Sequence, residues 1–445
     1  MDIHVPPASL GGDPLLVFLT AVAVLLLVAH LLGRLAERLG MPAIVGELLT
    51  GVILGPSLLG HLTPGLIGWI FPSTPEQMHL LDAVGQIGIL LLVGLTGTHL
   101  DVAMVRRRKA TAAKISLGGF LLPLALGLPV GYLLSDWLSG TAVEDRLVFA
   151  GFIGVAMCVT AIPVIAKTLS DMRLLHRDVG QLTLAAGTID DAAGWFLLSV
   201  VSMAATVGLS TGHVLKATAY LVGFVILAVV VGRPLVRRVM RLADRSESHG
   251  SSIVTAVVVI LAGAMTTQAL GMEPVFGAFV AGILVGLPAA ANQAKLAALR
   301  TVVLSVLAPL FLATAGLRMD LTALADPQVA LAALVVLAIA IGGKFAGAYA
   351  GARLSRMSRW EGLAIGAGMN SRGVVEVVVA LTGLRLGVFN TASYTIIVLV
   401  AIVTSLMAPP LLRLATARIA QNESERLRKI DHDAWSGIRA AGSSH

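Results

Sequence analysis

The chain has 445 residues, of which 57% are hydrophobic and 13% are charged, whereas soluble domains carry about 25% charged residues. This composition excludes a soluble globular protein and indicates a protein that crosses a membrane many times. The net charge of +7 comes from basic residues between apolar runs, which membrane topology explains without a nucleic-acid partner, and the single cysteine, Cys158, excludes an internal disulfide.

Thirteen apolar runs follow one another along the chain, each of about the length that crosses a bilayer, roughly 20 residues. The runs are 14–33, 41–60, 80–99, 115–135, 147–169, 179–207, 214–232, 251–270, 274–290, 300–318, 327–352, 361–383 and 391–416. The predicted fold class is therefore an all-α polytopic membrane protein with about 13 transmembrane helices. We expect a transmembrane domain over residues 1–416 and a short cytoplasmic tail over residues 417–445.

Basic residues are distributed unequally between the segments that join these runs. One set of segments holds nineteen of them, and the alternate set holds four, which are Arg146, Lys216, Arg318 and Arg385. The nineteen are Arg34, Arg38, Arg106, Arg107, Arg108, Lys109, Lys114, Arg173, Arg177, Arg233, Arg237, Arg238, Arg241, Arg245, Lys295, Arg300, Arg353, Arg356 and Arg359. Because cytoplasmic loops are enriched in Lys and Arg, the sequence predicts that the N-terminus is outside and that the C-terminus is cytoplasmic.

Two groups of three runs have matching spacing. Runs four to six begin near residues 115, 147 and 179, and runs eleven to thirteen begin near residues 327, 361 and 391, an offset of 212 to 214 residues. Equivalent members are seven runs apart, so the two groups should lie in the membrane with opposite orientations. Such inverted-topology repeats are typical of secondary transporters, in which the binding site lies near the midplane where the repeats meet.

Polar and helix-breaking residues interrupt the middle run of each group. The first interruption contains Thr160 and Pro163, and the second contains Asn370, Ser371 and Arg372. Arg372 comes 212 residues after Thr160, so the interruptions occupy equivalent positions of the repeat. Either interruption alone is also explained by a packing kink. Because they are paired, and because discontinuous helices form the binding sites of such transporters, we expect two crossed discontinuous helices.

Asp190 and Asp191 are adjacent in the sixth run, in a segment that is otherwise uncharged from residue 179 to residue 215 if histidine is neutral. Charged residues inside membrane helices are costly and commonly mark ion or proton pathways. Successive helical residues point about 100° apart, so one aspartate can pair with a protein cation while the other faces a water-filled cavity. Lys344, deep in the eleventh run, is the predicted partner.

Two carboxylates against one lysine leave a surplus negative charge, so we expect this group to hold either a proton or a small cation. The alternative is a structural ion pair that joins two helices. Arg372 and Glu376, four residues apart, are predicted to pair along one helix face; they either neutralise the ends of the broken half-helices or tune the titration of the aspartates. Glu47 is either structural or part of an entry funnel for the cation or of the dimer interface.

These motifs resemble the cation:proton antiporter-2 family, which includes bacterial sodium/proton antiporters and the Kef-type potassium efflux systems. The resemblance is carried by 44-IVGELLTGVILGPSLLGHL-62, the Asp190-Asp191 pair, Lys344 and 368-GMNSRGVVEVVVALTG-383. It implies a homodimer in the plasma membrane, without a cofactor. It also implies a scaffold over about 14–99 and 214–318, and a mobile core over about 115–207 and 327–416 that moves like an elevator.

By position, Asp191 resembles the carboxylate that binds the transported cation and the proton in turn, and Asp190 resembles the one paired with the lysine. Thr160 and nearby backbone carbonyls fall in the crossing that helps to coordinate the ion. The resemblance implies electrogenic exchange of Na+ or Li+ for protons by alternating access. The sequence departs from the family at Thr96, where relatives often carry a glutamate, and it shows no counterpart of the Kef nucleotide-binding tail.

Other functions fit parts of this pattern. An intramembrane aspartyl protease also uses two buried aspartates, but on different helices. A receptor would share the composition without ion flux. Within transport, K+/H+ exchange is the main alternative, because both alkali cations prefer oxygen ligands and the size of the cavity cannot be read from the sequence.

Overall fold

The computed structural model describes residues 12–71, 75–98, 109–139, 145–208, 211–245, 249–287, 293–423 and 425–426. These residues are mostly helical, so the predicted all-α fold class is confirmed. The helices are α1 (Gly12–Arg38), α2 (Ala43–Leu54), α3 (Leu59–Leu62), α4 (Pro64–Ile70), α5 (Pro75–Thr98), α6 (Lys109–Leu138), α7 (Arg146–Cys158), α8 (Ile162–Asp171), α9 (Asp178–Val207), α10 (Thr211–Leu227), α11 (Arg233–Asp244), α12 (His249–Ala269), α13 (Pro274–Gly286), α14 (Ala297–Val302), α15 (Ala308–Gly316), α16 (Pro327–Leu354), α17 (Arg359–Met369), α18 (Val374–Arg385) and α19 (Thr391–Thr416). Short π-helical segments, Ala228–Gly232 and Val303–Leu307, join α10 to α11 and α14 to α15.

The predicted apolar runs all fall on these helices. Within the described ranges, eleven helical segments are long and apolar enough to cross a membrane, and the bent pair α17–α18 would make a twelfth. The remaining run, 274–290, falls on the shorter apolar helix α13. The number of crossings and the orientation of the termini stay predictions. Basic residues 106–108, residue 424 and the tail after residue 426 lie outside the described residues.

Large apolar side chains point outward along the periphery of the bundle. Leu27 and Leu31 of α1, Leu133 of α6, Val230 between α10 and α11, and Leu334 of α16 are each more than half exposed. Lipid tails are as apolar as these side chains, and helices satisfy their own backbone groups, as segments in a bilayer must. The chain is therefore a multi-pass protein of the cell membrane.

We group the helices into two bundles by the extent of their contacts, and the division into a core domain and a scaffold domain stays a prediction. We call α6 to α9 with α16 to α19 the core bundle, because it contains both predicted repeats, and α1 to α5 with α10 to α15 the scaffold bundle. The most extensive helix contacts, such as α6 with α16 and α5 with α13, lie within one bundle. Relative motion of the two bundles stays a prediction.

Small residues allow α6 and α16 to approach closely. A Cβ atom on Gly347 would lie 2.1 Å from the Gly118 carbonyl oxygen, and one on Gly118 would lie 2.3 Å from the Gly347 carbonyl oxygen. Such small-residue contacts are how membrane helices gain van der Waals packing. Ser116 and Lys344 lie within one turn of this contact, so the close approach places both polar side chains inside the core bundle.

Both predicted interruptions are present, and they touch. Residues 159–161 separate α7 from α8, and residues 370–373 separate α17 from α18. The backbone N–H of Ala161 donates to the carbonyl of Ser371 at 3.3 Å, and the axes of α17 and α18 differ by 41°. The discontinuous helices of the two repeats therefore meet at one point in the core bundle.

Candidate cation site

Asp190, on α9, is held by side chains from three other segments. Its Oδ2 accepts hydrogen bonds from Lys344 Nζ at 2.5 Å and from Thr160 Oγ1 at 2.9 Å, and its Oδ1 accepts one from Ser116 Oγ at 2.5 Å. All four side chains are buried. A buried ion pair is tolerated when its remaining polar atoms are also satisfied. The negative charge of Asp190 is therefore compensated by Lys344, and both carboxylate oxygens are hydrogen-bonded.

Lys344 links Asp190 to the first broken helix. Its Nζ also donates to the carbonyl oxygen of Cys158 at 2.5 Å. Cys158 is the last residue of α7, where carbonyl groups lack intrahelical partners and a positive charge is favoured by the helix dipole. Of the two aspartates, the predicted lysine thus contacts Asp190.

Asp191 is the next residue of α9 and has a different environment. It is 1% exposed, and its Oδ1 has no hydrogen-bond partner among the described residues. The backbone N–H of Ile162, at the start of α8, faces this carboxyl group, while Lys344 pairs with Asp190. A buried carboxylate without a protein cation is stable only if it binds a proton or another cation. Asp191 is therefore a buried carboxyl group that lacks the protein cation that Asp190 has.

A cavity of about 1070 Å³ lies between the core and scaffold bundles and ends close to Asp191. Its deep end is lined by Ile162, whose amide faces Asp191, and by Thr188, one helical turn before it. Exposed Arg34 and Arg300 also line the cavity, and both belong to the basic set predicted to be cytoplasmic. The cavity therefore opens toward the end of the bundle where these two arginines lie, and the residues that line it include Ile162 and Thr188, the neighbours of Asp191. Pro163 lines the cavity too.

Arg372 lies in the interruption between α17 and α18, and its positive charge contacts the end of α7, where the other repeat is interrupted. It is fully buried and donates to the carbonyl oxygens of Ala156 at 2.6 Å, Met157 at 2.5 Å and Ala340 at 2.9 Å. It also pairs with Glu376 at 3.0 Å, the helix-face contact that the spacing predicts. The guanidinium presents several donors in a planar fork, so one side chain caps the C-terminal end of α7 and holds it against α16 and α18.

Asn370 and Ser371 lie at the crossing itself, and both are buried. The side-chain amide of Asn370 and the hydroxyl of Ser371 have no hydrogen-bond partners among the described residues, whereas the Ser371 backbone carbonyl binds the other break. Their observed contribution is therefore to the backbone geometry of the crossing.

Glu47 and Thr96 line the same cavity from α2 and α5 of the scaffold bundle. Thr96 occupies the position where relatives often carry a glutamate, and its hydroxyl donates to the Leu92 carbonyl at 3.0 Å within its own helix. Glu47 is half-buried. A cavity carboxylate is thus present on α2, although the one expected on α5 is absent.

Ser116 was not predicted as part of the site. Serines in membrane helices commonly bond to backbone carbonyls of their own helix, and a serine in an apolar run carries no signal that distinguishes a contact with another helix. The contacts of Arg372 with backbone carbonyls were not predicted either. Every residue has the same backbone groups, so the sequence does not mark which carbonyls a side chain will contact. Only the three-dimensional arrangement identifies either role.

Residues 22–416 match the family described as "Sodium/hydrogen exchanger, transmembrane". The Na(+)/H(+) antiporter NhaS4 of Synechocystis sp. is 32% identical over 406 residues, which cover 90% of this chain and 97% of that protein. The K(+)/H(+) antiporter 1 of Saccharomyces cerevisiae is 29% identical over 413 residues, which cover 91% of this chain and 47% of that protein, so this chain spans about half the length of the yeast relative.

A solved structure has the same fold. The sodium proton antiporter MjNhaP1 from Methanocaldococcus jannaschii, at pH 8, superposes with a TM-score of 0.62 over 96% of this chain and 98% of that chain, at 18% sequence identity. At this identity the likeness concerns the fold alone.

Proposed function

Because the chain belongs to the sodium/hydrogen exchanger family, we propose that it exchanges Na+ or Li+ for protons by alternating access, with Asp191 as the shared site. Family membership makes it a cation/proton antiporter, a transporter and not an enzyme. The proposal concerns the cation that it prefers, the residues that bind it and the movement that carries it across.

The observation that carries this proposal is the difference between two adjacent carboxylates. Asp190 is satisfied by Lys344, Thr160 and Ser116, whereas Asp191 keeps an unpartnered oxygen among the described residues, near the deep end of a large cavity. A group that neutralises its charge with a proton in one step and with Na+ in another couples the two flows, because occupation by one excludes the other.

The proposal assigns further ligands of the cation to oxygen atoms near Asp191. Thr160 and the backbone carbonyls freed at the two breaks are close in space, since Thr160 bonds to Asp190 and the breaks bond to each other. In this proposal Asp191 supplies the charge, and Thr160 with the carbonyls replaces part of the hydration shell of Na+. Asn370, Ser371, Arg372 and Glu376 fix the crossing that presents these oxygens.

Electrogenic exchange requires a second proton, because Asp191 alone exchanges one positive charge for another. Lys344 is placed to carry it. If Na+ also takes Asp190 as a ligand, the Lys344 ammonium loses its partner and releases a proton. The sodium-bound site then has one negative charge more than the proton-bound site, and a complete cycle moves net charge across the membrane.

Alternating access is proposed as a movement of the core bundle along the scaffold bundle. The cavity lies between the two bundles and opens toward one end, while Asp190, Asp191, Lys344 and both breaks belong to the core. Moving the core as one body would carry the site across without separating its parts. The scaffold bundle is the part proposed to form a homodimer.

K+/H+ exchange is the second candidate. The yeast relative that matches 91% of this chain is named a K(+)/H(+) antiporter, so the same membrane domain is compatible with the larger cation. Na+/H+ exchange and K+/H+ exchange differ in which cation fits the oxygen ligands better. Asp191 has the same role in both.

A dequenching assay in everted membrane vesicles separates these possibilities. After respiration acidifies the vesicles, Na+, Li+ or K+ is added and the recovery of a pH-sensitive dye is followed. We expect recovery with Na+ and Li+, a weaker response to K+, and none for Asp191→Asn. A response to K+ but not Na+ would replace the first candidate by the second, and undiminished recovery in Asp191→Asn would refute the assigned site.

A further inference from the structure

We propose that Glu273 and Arg385 are the contact that closes the bundle at the end opposite to the cavity mouth, and that this contact must break before Asp191 can face that side. The inference rests on the proposed alternating access. It assigns to Glu273 and Arg385, which lie outside the cation site, the stabilisation of the state in which the site faces the cavity. We call the end of the bundle that contains these residues the closed end.

The pair joins the two bundles. Glu273 directly precedes α13 of the scaffold, and Arg385 is the last residue of α18 of the core. Arg385 Nη2 lies 3.1 Å from one carboxylate oxygen of Glu273 and 3.2 Å from the other. The Thr382 hydroxyl, one turn earlier on α18, faces the same carboxylate. A scaffold carboxylate is thus bound by a cation of the core.

The carboxylate of this contact is buried, whereas its cation is not. The side chain of Glu273 is only 5% exposed and that of Arg385 is 47% exposed, so moving α18 away before water reaches Glu273 would leave a buried carboxylate without its cation, which is unfavourable. At the other end, Glu37 of α1 pairs with Lys167 of α8 at 3.0 Å, but these side chains are 45% and 43% exposed. Exposed ion pairs contribute little. The difference favours the state in which the cavity end is open.

One more hydrogen bond connects the bundles at the closed end. The hydroxyl of Tyr394 on α19 donates to the carbonyl of Ala315 on α15 at 2.7 Å. Next to it, the backbone N–H of Asp320, in the connection between α15 and α16, donates to Thr395 Oγ1 at 3.0 Å. Tyr394 and Thr395 are completely buried. The Glu273–Arg385 pair and the Tyr394 hydrogen bond therefore cross the same boundary.

The inverted repeat provides a similar ion pair at the other end of the bundle. Lys167 lies on α8 and Arg385 on α18, which are the second halves of the two broken spans. Each basic residue binds a glutamate of the scaffold, Glu37 or Glu273, and the two pairs lie at opposite ends of the bundle. One repeat thus supplies the contact at each end, and transport would break one pair while it strengthens the other.

The test measures how often the closed end opens. Thr188→Cys is the reporter, because Thr188 lines the cavity one turn from Asp191 and its hydroxyl bonds only to Leu184 of its own helix in the described contacts. A membrane-impermeant maleimide is applied to vesicles of either orientation, and labelling of Cys158 alone is subtracted. Glu273→Gln should raise the rate of labelling from the closed-end side by about tenfold, because Arg385 then loses its buried anionic partner.

Two matched variants complete the design. Tyr394→Phe removes one boundary hydrogen bond with little change of shape and should raise the same rate by a smaller factor. Asp82→Asn breaks the ion pair with Arg318, which lies at the same end at 2.5 Å but joins two parts of the scaffold, and should leave the rate unchanged. Unchanged labelling in Glu273→Gln, or an equal rise in Asp82→Asn, overturns the inference. Na+-driven proton flux measured in the same vesicles tests the proposed function separately.

Discussion

Asp190 and Asp191 are neighbours in the chain, yet their carboxylates meet different groups, because successive side chains of a helix point about 100° apart. Asp190 points toward α16 and the first break, where Lys344, Thr160 and Ser116 bind it. Asp191 points toward the start of α8 and the deep end of the cavity. One residue of helical rotation therefore places one carboxylate against Lys344 and leaves its neighbour without a protein cation.

The Asp190–Lys344 pair gives a prediction about stability. Lys344→Met leaves a buried carboxylate without its cation and should destabilise the protein by about 3–5 kcal/mol. Adding Asp190→Asn removes the uncompensated charge, so the double variant should be more stable than Lys344→Met alone. Thermal unfolding in detergent measures both. Additive losses would show that the two side chains do not interact.

Asp190→Asn alone should weaken exchange and change its response to membrane potential, because Lys344 then has only Asp191 as an anionic partner in the site. Exchange by purified protein in liposomes, with the potential set by a potassium gradient and valinomycin, measures this effect. Ser116→Ala is the milder comparison. It removes one hydrogen bond to the charged Asp190, worth about 1.5–3 kcal/mol, and should preserve the response to potential. An identical response to potential in wild type and Asp190→Asn would remove Lys344 from the coupling.

At the scale of single elements, the broken helices depend on one arginine. Arg372→Lys keeps the charge but replaces a planar fork of five donors by a compact ammonium, so it cannot reach Ala156, Met157 and Ala340 together. We expect lower exchange and a lower unfolding temperature for Arg372→Lys. Arg318→Lys, which changes a partly exposed pair within the scaffold, is the control. Equal behaviour of the two variants would contradict the assigned role of Arg372.

The contact between α6 and α16 gives a test of packing. Gly347→Ala would place a Cβ atom 2.1 Å from the Gly118 carbonyl oxygen, whereas a Cβ on Gly342 of the same helix meets nothing within 4 Å. Gly347→Ala should therefore lower the unfolding temperature, and Gly342→Ala should leave it unchanged or raise it slightly, since Ala is the better helix former. The reverse order would show that α6 and α16 are not in close contact.

The sequence predicts elements better than it predicts their contacts. Length and apolarity located the helices, and the pairing of Thr160 with Arg372 across the repeat located both breaks, because a break in a membrane helix needs polar or helix-breaking residues. Lys344 was identifiable as a partner, since a charge buried in a membrane helix requires one. Ser116 was not, because a hydroxyl can be satisfied within its own helix. The Glu273–Arg385 contact was missed because both residues lie at the ends of runs, where charges are expected to be solvated.

At the scale of the whole molecule, the cavity separates the two bundles at one end while polar contacts join them at the other. If transport requires the bundles to move, tying them together at the cavity mouth should stop it. Glu37 and Lys167 form an exposed pair across that mouth, so a short thiol crosslinker between Glu37→Cys and Lys167→Cys should abolish Na+-driven proton flux. The same crosslink between Asp82→Cys and Arg318→Cys lies within the scaffold and should have little effect. Full flux in crosslinked Glu37→Cys/Lys167→Cys protein would contradict the proposed movement.

The account depends most on one claim, that a proton and the cation compete for Asp191. Equilibrium binding of Na+ to the purified protein, measured over a range of pH, tests it directly. We predict that the apparent Kd for Na+ rises by at least about tenfold for each unit of pH below the titration of the site, the slope for one displaced proton, and by up to about a hundredfold where Lys344 releases the second proton, and that Asp191→Asn binds no Na+ at any pH. A Kd that does not change with pH, or Na+ binding that survives in Asp191→Asn, would contradict the account.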